Sequence, residues 1–218
     1  MIDKNVTPTS RLNAYVLAQA EPPTPAQSEL IETTYSLGSV AEMQVPHEQA
    51  VFLTLLAQSL GAVRVLEIGT FTGYSTLALA SGLAEGGVVD TYDVTDRWSA
   101  IAGKAWADAG VAERVRQHIG PGLEGLRALP LDPVVDLAFV DADKVGYVGY
   151  WEELVPRMRP GGVILADNVL YAGEVVGDEP SGNGNAIKEF NAHVRADDRV
   201  ESVLLTIADG LTFARKKA

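Results

Sequence analysis

From residue 63 onward the chain alternates short, nearly unbroken apolar runs with longer stretches of helical character. The runs are VRVLEI (63–68), GVVDTYD (87–93), RVRQHI (114–119), VVDLAFV (134–140) and GGVILAD (161–167). Between them lie STLALASGL, DRWSAIAGKAWADAG, GLEGLRAL and YVGYWEELVPRM. Strands that are apolar throughout must be covered on both faces, so the alternation predicts an α/β fold built on a mostly parallel sheet. Two further strands are predicted at VESVLLTI (200–207) and LTFAR (211–215), joined by a hairpin-like turn at Ala208-Asp209-Gly210. That turn sets one antiparallel strand at the end of the sheet. The first 60 residues read as helices instead. Thr9 or Ser10 caps a segment with Leu12, Tyr15 and Val16 on one face, and Pro25 begins a second through Leu30 and Ile31. Pro46 opens a third, in which Phe52, Leu55, Leu56 and Leu60 recur before Gly61 stops it. The expectation is one domain over residues 1–218, with a helical segment 1–60 and a sheet core 61–218.

Composition narrows the partners. A net charge of −12 repels a phosphate backbone, so nucleic acid is not an expected partner. The densest basic run, Arg215-Lys216-Lys217, reads as a solvated tail. With no cysteine, disulfides, thiolate nucleophiles and Cys-bound zinc are excluded. The N-terminal MIDKNVTPTS lacks an apolar signal core, and no run approaches the ~18 apolar residues of a membrane span. A soluble, cytoplasmic protein is the expectation, with no membrane partner. His47, His118 and His193 are scattered and read as surface or cap residues.

In a parallel sheet, ligands bind beyond the carboxyl ends of the strands, so the residues that end each run carry the chemistry. VLEIGTFTGYST (65–76) is a strand, a glycine turn and a helix start, but Glu67 stands where a dinucleotide fold has its first glycine. A carboxylate there repels a pyrophosphate and suits a ligand with positive charge or hydroxyls; a turn that merely needs glycine remains the alternative. Asp93 ends the second run, twenty residues past Gly73, where an acid can accept hydrogen bonds from ribose hydroxyls, or cap a helix. Together they favour a nucleoside ligand without pyrophosphate, a description that S-adenosylmethionine fits. Asp141 ends the fourth run and Asp167-Asn168 the fifth. Two carboxylates and an amide oxygen, without histidine or thiolate, form a hard site suited to Mg²⁺ or Ca²⁺. Lys144 lies three residues beyond Asp141 and could lean over that site, or pair at the surface with Asp143. An amine beside a cation and partly buried gives up its proton more readily, which would let it serve as a base. There is no G-x-x-x-x-G-K-[ST], G-x-S-x-G or H-E-x-x-H motif.

VLEIGTFTGYST, FVDADK and LADNVLYAG, in that order and spacing, resemble the divalent-cation-dependent, S-adenosylmethionine-dependent O-methyltransferases of the caffeoyl-CoA and catechol type. The likeness runs from about Met43 in AEMQVPHEQ to the closing ADGLTFARKK. It implies a Rossmann-like class I methyltransferase with a seven-stranded sheet, helices on both faces and an N-terminal helical cap. It also implies Val45, Glu67, Gly69, Thr70 and Ser75 around the methionine part of the cofactor, Asp93 at the ribose, and Gly122 beside the adenine. Asp141 and Asp143 would face the cofactor; Asp141, Asp167 and Asn168 would hold Mg²⁺, or another divalent ion such as Ca²⁺ or Mn²⁺. Lys144 would be the general base and, with Met43, Tyr171 and Ala172, would border the substrate. A homodimer is implied as well.

Two features depart from the plant pattern. Ala172 stands where plant relatives tend to place a polar substrate contact, and the loop 173–185 is rich in glycine and poor in aromatic residues that could clamp a flat ring. The expected acceptor is therefore a hydroxyl of a small molecule with vicinal oxygens, free or carrier-bound, including phenolic, hydroxy-acyl and polyketide or macrolide intermediates of secondary metabolism. Three other readings are a tRNA hydroxyuridine O-methyltransferase, disfavoured by charge, a nicotinamide-dependent oxidoreductase, disfavoured by Glu67, and a non-catalytic binding module, disfavoured by the complete acidic set with Lys144.

Overall fold

The computed structural model describes residues 9–132 and 134–218; the expectation placed on the N-terminal signal region falls largely outside them. Three helices come first: α1 (Ser10–Leu17), α2 (Pro25–Tyr35) and α3 (His47–Leu60). The Thr9 hydroxyl accepts from the Leu12 amide to cap α1. Thr24 and Gln27 form a reciprocal capping box on α2 behind Pro25, and Gly61 ends α3 in the left-handed conformation. There follow β1 (Arg64–Ile68), α4 (Tyr74–Gly82), β2 (Val88–Asp93), α5 (Ser99–Asp108), β3 (Val115–Ile119), α6 (Gly122–Ala128), β4 (Val135–Val140), α7 (Tyr147–Leu154), β5 (Met158–Ala166), α8 (Gly182–Ala196), β6 (Val200–Leu205) and β7 (Leu211–Lys216).

The strands form one sheet in the order β3-β2-β1-β4-β5-β7-β6. β1 to β5 are parallel, and a β6–β7 hairpin closes the edge, with β7 antiparallel to both neighbours. This is the seven-stranded Rossmann-like α/β architecture. Strand alternation divides the core into two layers. Val65, Val89, Leu137 and Phe139 pack beneath α3, α4 and α5, while Leu66, Tyr92, Ala138 and Val140 pack against α7 and α8 through Tyr147, Trp151 and Phe190. α1 buries none of its residues, so its apolar face stays exposed. No helix of the described residues is long and apolar enough to cross a membrane.

The strand order reverses between β1 and β4, which opens a crevice at their carboxyl ends. Ile68 is level with Val140, so Gly69 and Asp141 emerge side by side, and the Asp141 amide donates to the Ile68 carbonyl (2.8 Å). A Cβ on Gly69 would stand 1.8 Å from the Asp141 carbonyl oxygen, and φ is +105°. Glycine is required there on both counts, whatever binds above it.

One surface reading of the sequence is corrected and another is filled in. Arg215 and Lys216 belong to β7 rather than to a solvated tail. The three histidines each bond to another element. His47 joins the Glu21 carbonyl (2.6 Å) to the Tyr74 hydroxyl (2.7 Å), His118 meets Asp90 (2.7 Å), and His193 meets Glu152 (2.7 Å). They keep the surface and helix-start positions read from the sequence, with His47 as the first residue of α3 and His118 and His193 solvent-accessible, and the structure adds their partners.

Candidate active site

A cavity of about 1070 Å³ lies over the carboxyl ends of β1, β2, β4 and β5. Val45, Gly69, Thr70, Ser75, Asp93 and Gly122 line one part of it; Met43, Asp141, Asp143, Lys144, Asp167, Asn168 and Tyr171 line the rest. Glu67 and Ala172 are not among its lining residues. The ends of four strands thus bring together almost every residue singled out in the sequence.

The turn after β1 is held by Asp93 from the end of β2. Its Oδ2 accepts from the Thr70 amide (3.2 Å) and the Phe71 amide (2.9 Å), while Oδ1 accepts from the Thr95 amide (3.1 Å). The same carboxylate faces the cavity, so it both shapes the turn and presents an acceptor to a ligand. On the opposite side of the cavity floor, Tyr150 donates its hydroxyl to Asp143 Oδ1 (2.5 Å), fixing that acid at the rim.

Glu67 sits beneath the cavity floor and is fully buried. Thr76 donates its hydroxyl to Glu67 Oε2, and Oε1 has no partner. Burial pushes the carboxyl up to about 7, against the lowering effect of Ser75, Thr76 and Thr91 hydroxyls, with a smaller upward push from Asp141. The folded value exceeds the unfolded one, so the native state holds the extra proton between about 4.5 and about 7. Stability from this group therefore falls as pH rises through that window and stays low above it. Glu67→Gln is expected to flatten the loss, gaining on the parent by on the order of 3 kcal/mol at most between pH 5 and pH 8. Urea denaturation of both proteins across that range is the check; a constant difference would contradict the assignment.

The polar end is built around Lys144. Its ammonium donates to Asn168 Oδ1 (2.7 Å), Tyr147 Oη (2.7 Å) and Asp141 Oδ1 (3.2 Å), and its side chain is only 12% exposed. The Tyr147 hydroxyl passes a hydrogen bond on to the Asp167 carbonyl (3.1 Å). Asp167 is itself buried: Oδ1 accepts from the Asn168 amide (2.7 Å) and Oδ2 from Gln49 Nε2 (2.7 Å). Burial, then the charge of Asp141, raises its carboxyl to about 7.

This arrangement fits a hard cation. Oxygens of Asp141 and Asn168 already converge on one positive atom, Lys144 Nζ. Asp167 lies close enough to Asp141 to feel its charge and has a single amine nearby as counter-ion. Two acids and one amide carry an unbalanced negative charge in a poorly solvated place, which a divalent ion would relieve. Asn168 holds a left-handed backbone (φ +55°), as do Tyr171 (+47°), Ala172 (+50°) and Ala208 (+46°). Such strain persists only where surrounding contacts enforce it. Here the Val169 amide bonds to the Gly210 carbonyl (3.1 Å), the Leu170 amide to the Asp209 carbonyl (2.9 Å), and the Ala172 amide to Asp209 Oδ1 (2.7 Å). The turn between β6 and β7 thereby fixes the loop that carries Asn168.

Three contributors were not singled out in the sequence: Gln49, Tyr147 and Asp209. Gln49 occupies the buried face of α3 with Ala50, Leu53 and Ala57, and a polar residue in that apolar pattern was its one available signal. Tyr147 lies one helical turn past Lys144, in the stretch that reads simply as apolar.

A family model described as O-methyltransferase matches residues 19–217. Tricin synthase 1 from Oryza sativa subsp. japonica is 40% identical over 189 residues, which cover 80% of this chain and 75% of that protein. Caffeoyl-CoA O-methyltransferase from Populus kitakamiensis is 37% identical over 195 residues, covering 84% of this chain and 83% of that one. An O-methyltransferase from Bacillus cereus, solved in complex with SAH, superposes with a TM-score of 0.85 at 32% identity, covering 95% of this chain and 97% of that structure.

Proposed function

This chain belongs to the S-adenosylmethionine-dependent O-methyltransferases of the caffeoyl-CoA type, and from that premise we propose that it methylates a hydroxyl of a small molecule with vicinal oxygens in a divalent-cation-dependent reaction. One observation carries the reading: an amine held at 2.7–3.2 Å between oxygens of Asn168, Tyr147 and Asp141, next to buried Asp167, in the same cavity as the Asp93 and Gly122 end.

In this reading the cofactor supplies a methyl group on a sulfonium. Asp93 accepts from its ribose hydroxyls, Gly122 leaves room for the adenine, and Val45, Gly69, Thr70 and Ser75 border the methionine part, with Asp143 at the rim. Glycine is required at 122 by packing in any case, because a Cβ there would stand 2.8 Å from Ile68 Cγ2. Glu67 supports the methionine end from beneath the cavity, holding the Thr76 hydroxyl with Oε2 and leaving Oε1 unpartnered. Asp141, Asp167 and Asn168 would hold a cation such as Mg²⁺, which supplies Lewis acidity and a template for two acceptor oxygens.

The chain's own residues do the rest. Gln49 and the Asn168 amide pin both oxygens of Asp167, and the strained loop aims Asn168 Oδ1. Tyr147 and Asn168 hold Lys144 Nζ in place; in its neutral amine form it takes the proton the hydroxyl loses, as that oxygen gains the methyl group and the sulfonium departs as the thioether S-adenosylhomocysteine. Most of the acceleration then comes from holding oxygen and methyl carbon in line, away from water. Met43 and Tyr171 border the acceptor with Ala172 beside them, and Asn183 of the loop 173–185 donates to the Tyr171 hydroxyl (3.0 Å). A second copy would pack on the exposed Tyr15, Val16 and Leu17 of α1 to give a homodimer.

Transfer of label from methyl-labelled S-adenosylmethionine to a vicinal dihydroxy probe tests the reading. Treatment with EDTA is expected to abolish transfer and Mg²⁺ to restore it. Full turnover in EDTA would overturn the cation's role.

A further inference from the structure

We propose that the acceptor is a free molecule, neutral or positively charged away from its reacting oxygens, and not a thioester on a phosphate-bearing arm. This rests on the reading of the cavity as an O-methyltransfer site. Among the described residues, the cavity lining holds six acids, Glu42, Asp93, Asp141, Asp143, Asp167 and Asp209, and one cation, Lys144. Lys144 is committed to Asp141, Asn168 and Tyr147 at the reacting end, so it offers nothing to a distant phosphate.

Of the six acids, Asp93 and Asp143 fall to the cofactor and Asp141 and Asp167 to the cation, which leaves Glu42 and Asp209 for the acceptor's outer part. Glu42 is exposed on the 3₁₀ turn Gly38–Met43, next to Met43. Asp209 also lines the cavity, on the β6–β7 turn, with Oδ1 accepting from the Ala172 amide. The loop 173–185, joined to the lining where Asn183 donates to the Tyr171 hydroxyl (3.0 Å), carries Glu174, Asp178 and Glu179 outside the lining itself and contains no lysine or arginine. The Ser181 backbone amide and hydroxyl both donate to Glu174 Oε2 and hold that carboxyl below its usual range, so it stays ionised at neutral pH. A nucleotide-bearing thioester would bring several negative charges past this rim with no cation to meet them. The apolar parts of the lining, Val40, Met43 and Ala208, tolerate a compact uncharged body instead. A cleft of one sign attracts the opposite charge and rejects its own, and that effect weakens as salt screens it.

Four acceptors that share one 3,4-dihydroxyphenyl ring isolate charge from shape: the ethylamine, the ethanol, the acetate and caffeoyl-CoA. At low ionic strength kcat/KM is expected to fall in the order amine, alcohol, acetate, thioester, with roughly tenfold between amine and acetate. About 0.5 M salt should close most of that gap. Glu42→Lys is expected to move the amine-to-acetate ratio severalfold toward the acetate while both proteins bind S-adenosylhomocysteine equally. A preference for caffeoyl-CoA or the acetate, or a salt-independent order, overturns this inference alone. Failure to methylate any of the four overturns the site reading, and the inference with it.

Discussion

Lys144→Ala is expected to lower kcat by about 10²–10⁴-fold, the usual range for losing a positioned proton acceptor, with little change in cofactor affinity. The lysine Nζ is the one basic atom that the cavity brings beside Asp141 and Asn168 among the described residues, and Tyr147 and Asn168 each hold it at 2.7 Å. Removing it also removes a positive charge from beside two acids, so the alanine variant alone mixes two effects. Lys144→Arg separates them, because a guanidinium keeps the charge but does not give up its proton at any working pH. If the lysine moves a proton, the arginine variant is as slow as the alanine one. If it serves only as a charge, arginine recovers most of the rate. Single-turnover methyl transfer, with calorimetry for cofactor affinity, reads the two apart.

Asp141→Ala is expected to cost about 10³-fold or more in kcat/KM, the several kcal/mol that a bound cation contributes. Asp141 follows the last residue of β4, and its side chain is 21% exposed, so the fold should survive the loss of the carboxylate. Raising the Mg²⁺ concentration should recover part of the activity if Asp167 and Asn168 still hold the ion weakly. An undiminished rate would remove Asp141 from the metal set, and unfolding, checked by circular dichroism, would point to a structural role.

The residues at strand ends were legible because parallel sheets place their ligands there. Asp93, Asp141, Asp167 and Asn168 could be found by locating where each apolar run stops, and β4 and β5 end within one residue of the positions that the runs predict. Gly69 was legible as a glycine but not for its reason, since only the register of β1 against β4 shows the Asp141 carbonyl beneath it. Glu67 was legible as the residue before the glycine turn, but alternation along β1 does not show the Thr76 hydroxyl bonded to its carboxyl beneath the cavity. Gln49 was illegible for a different reason. Its partner Asp167 lies 118 residues away, and no local pattern links a helix near the N-terminus to the end of the fifth strand. The amide bond from Ala172 to Asp209 was illegible for the same reason, a tertiary contact across 37 residues.

Manganese titration measures the central claim without depending on which acceptor the enzyme uses. With S-adenosylhomocysteine present, the electron paramagnetic resonance signal of free Mn²⁺ should fall as one ion binds per chain, and Mg²⁺ should compete it away. Asp141→Ala and Asp167→Ala should each abolish that site. A free-Mn²⁺ signal untouched by the wild-type protein, or a bound ion that both variants retain, would contradict a cation held by Asp141, Asp167 and Asn168.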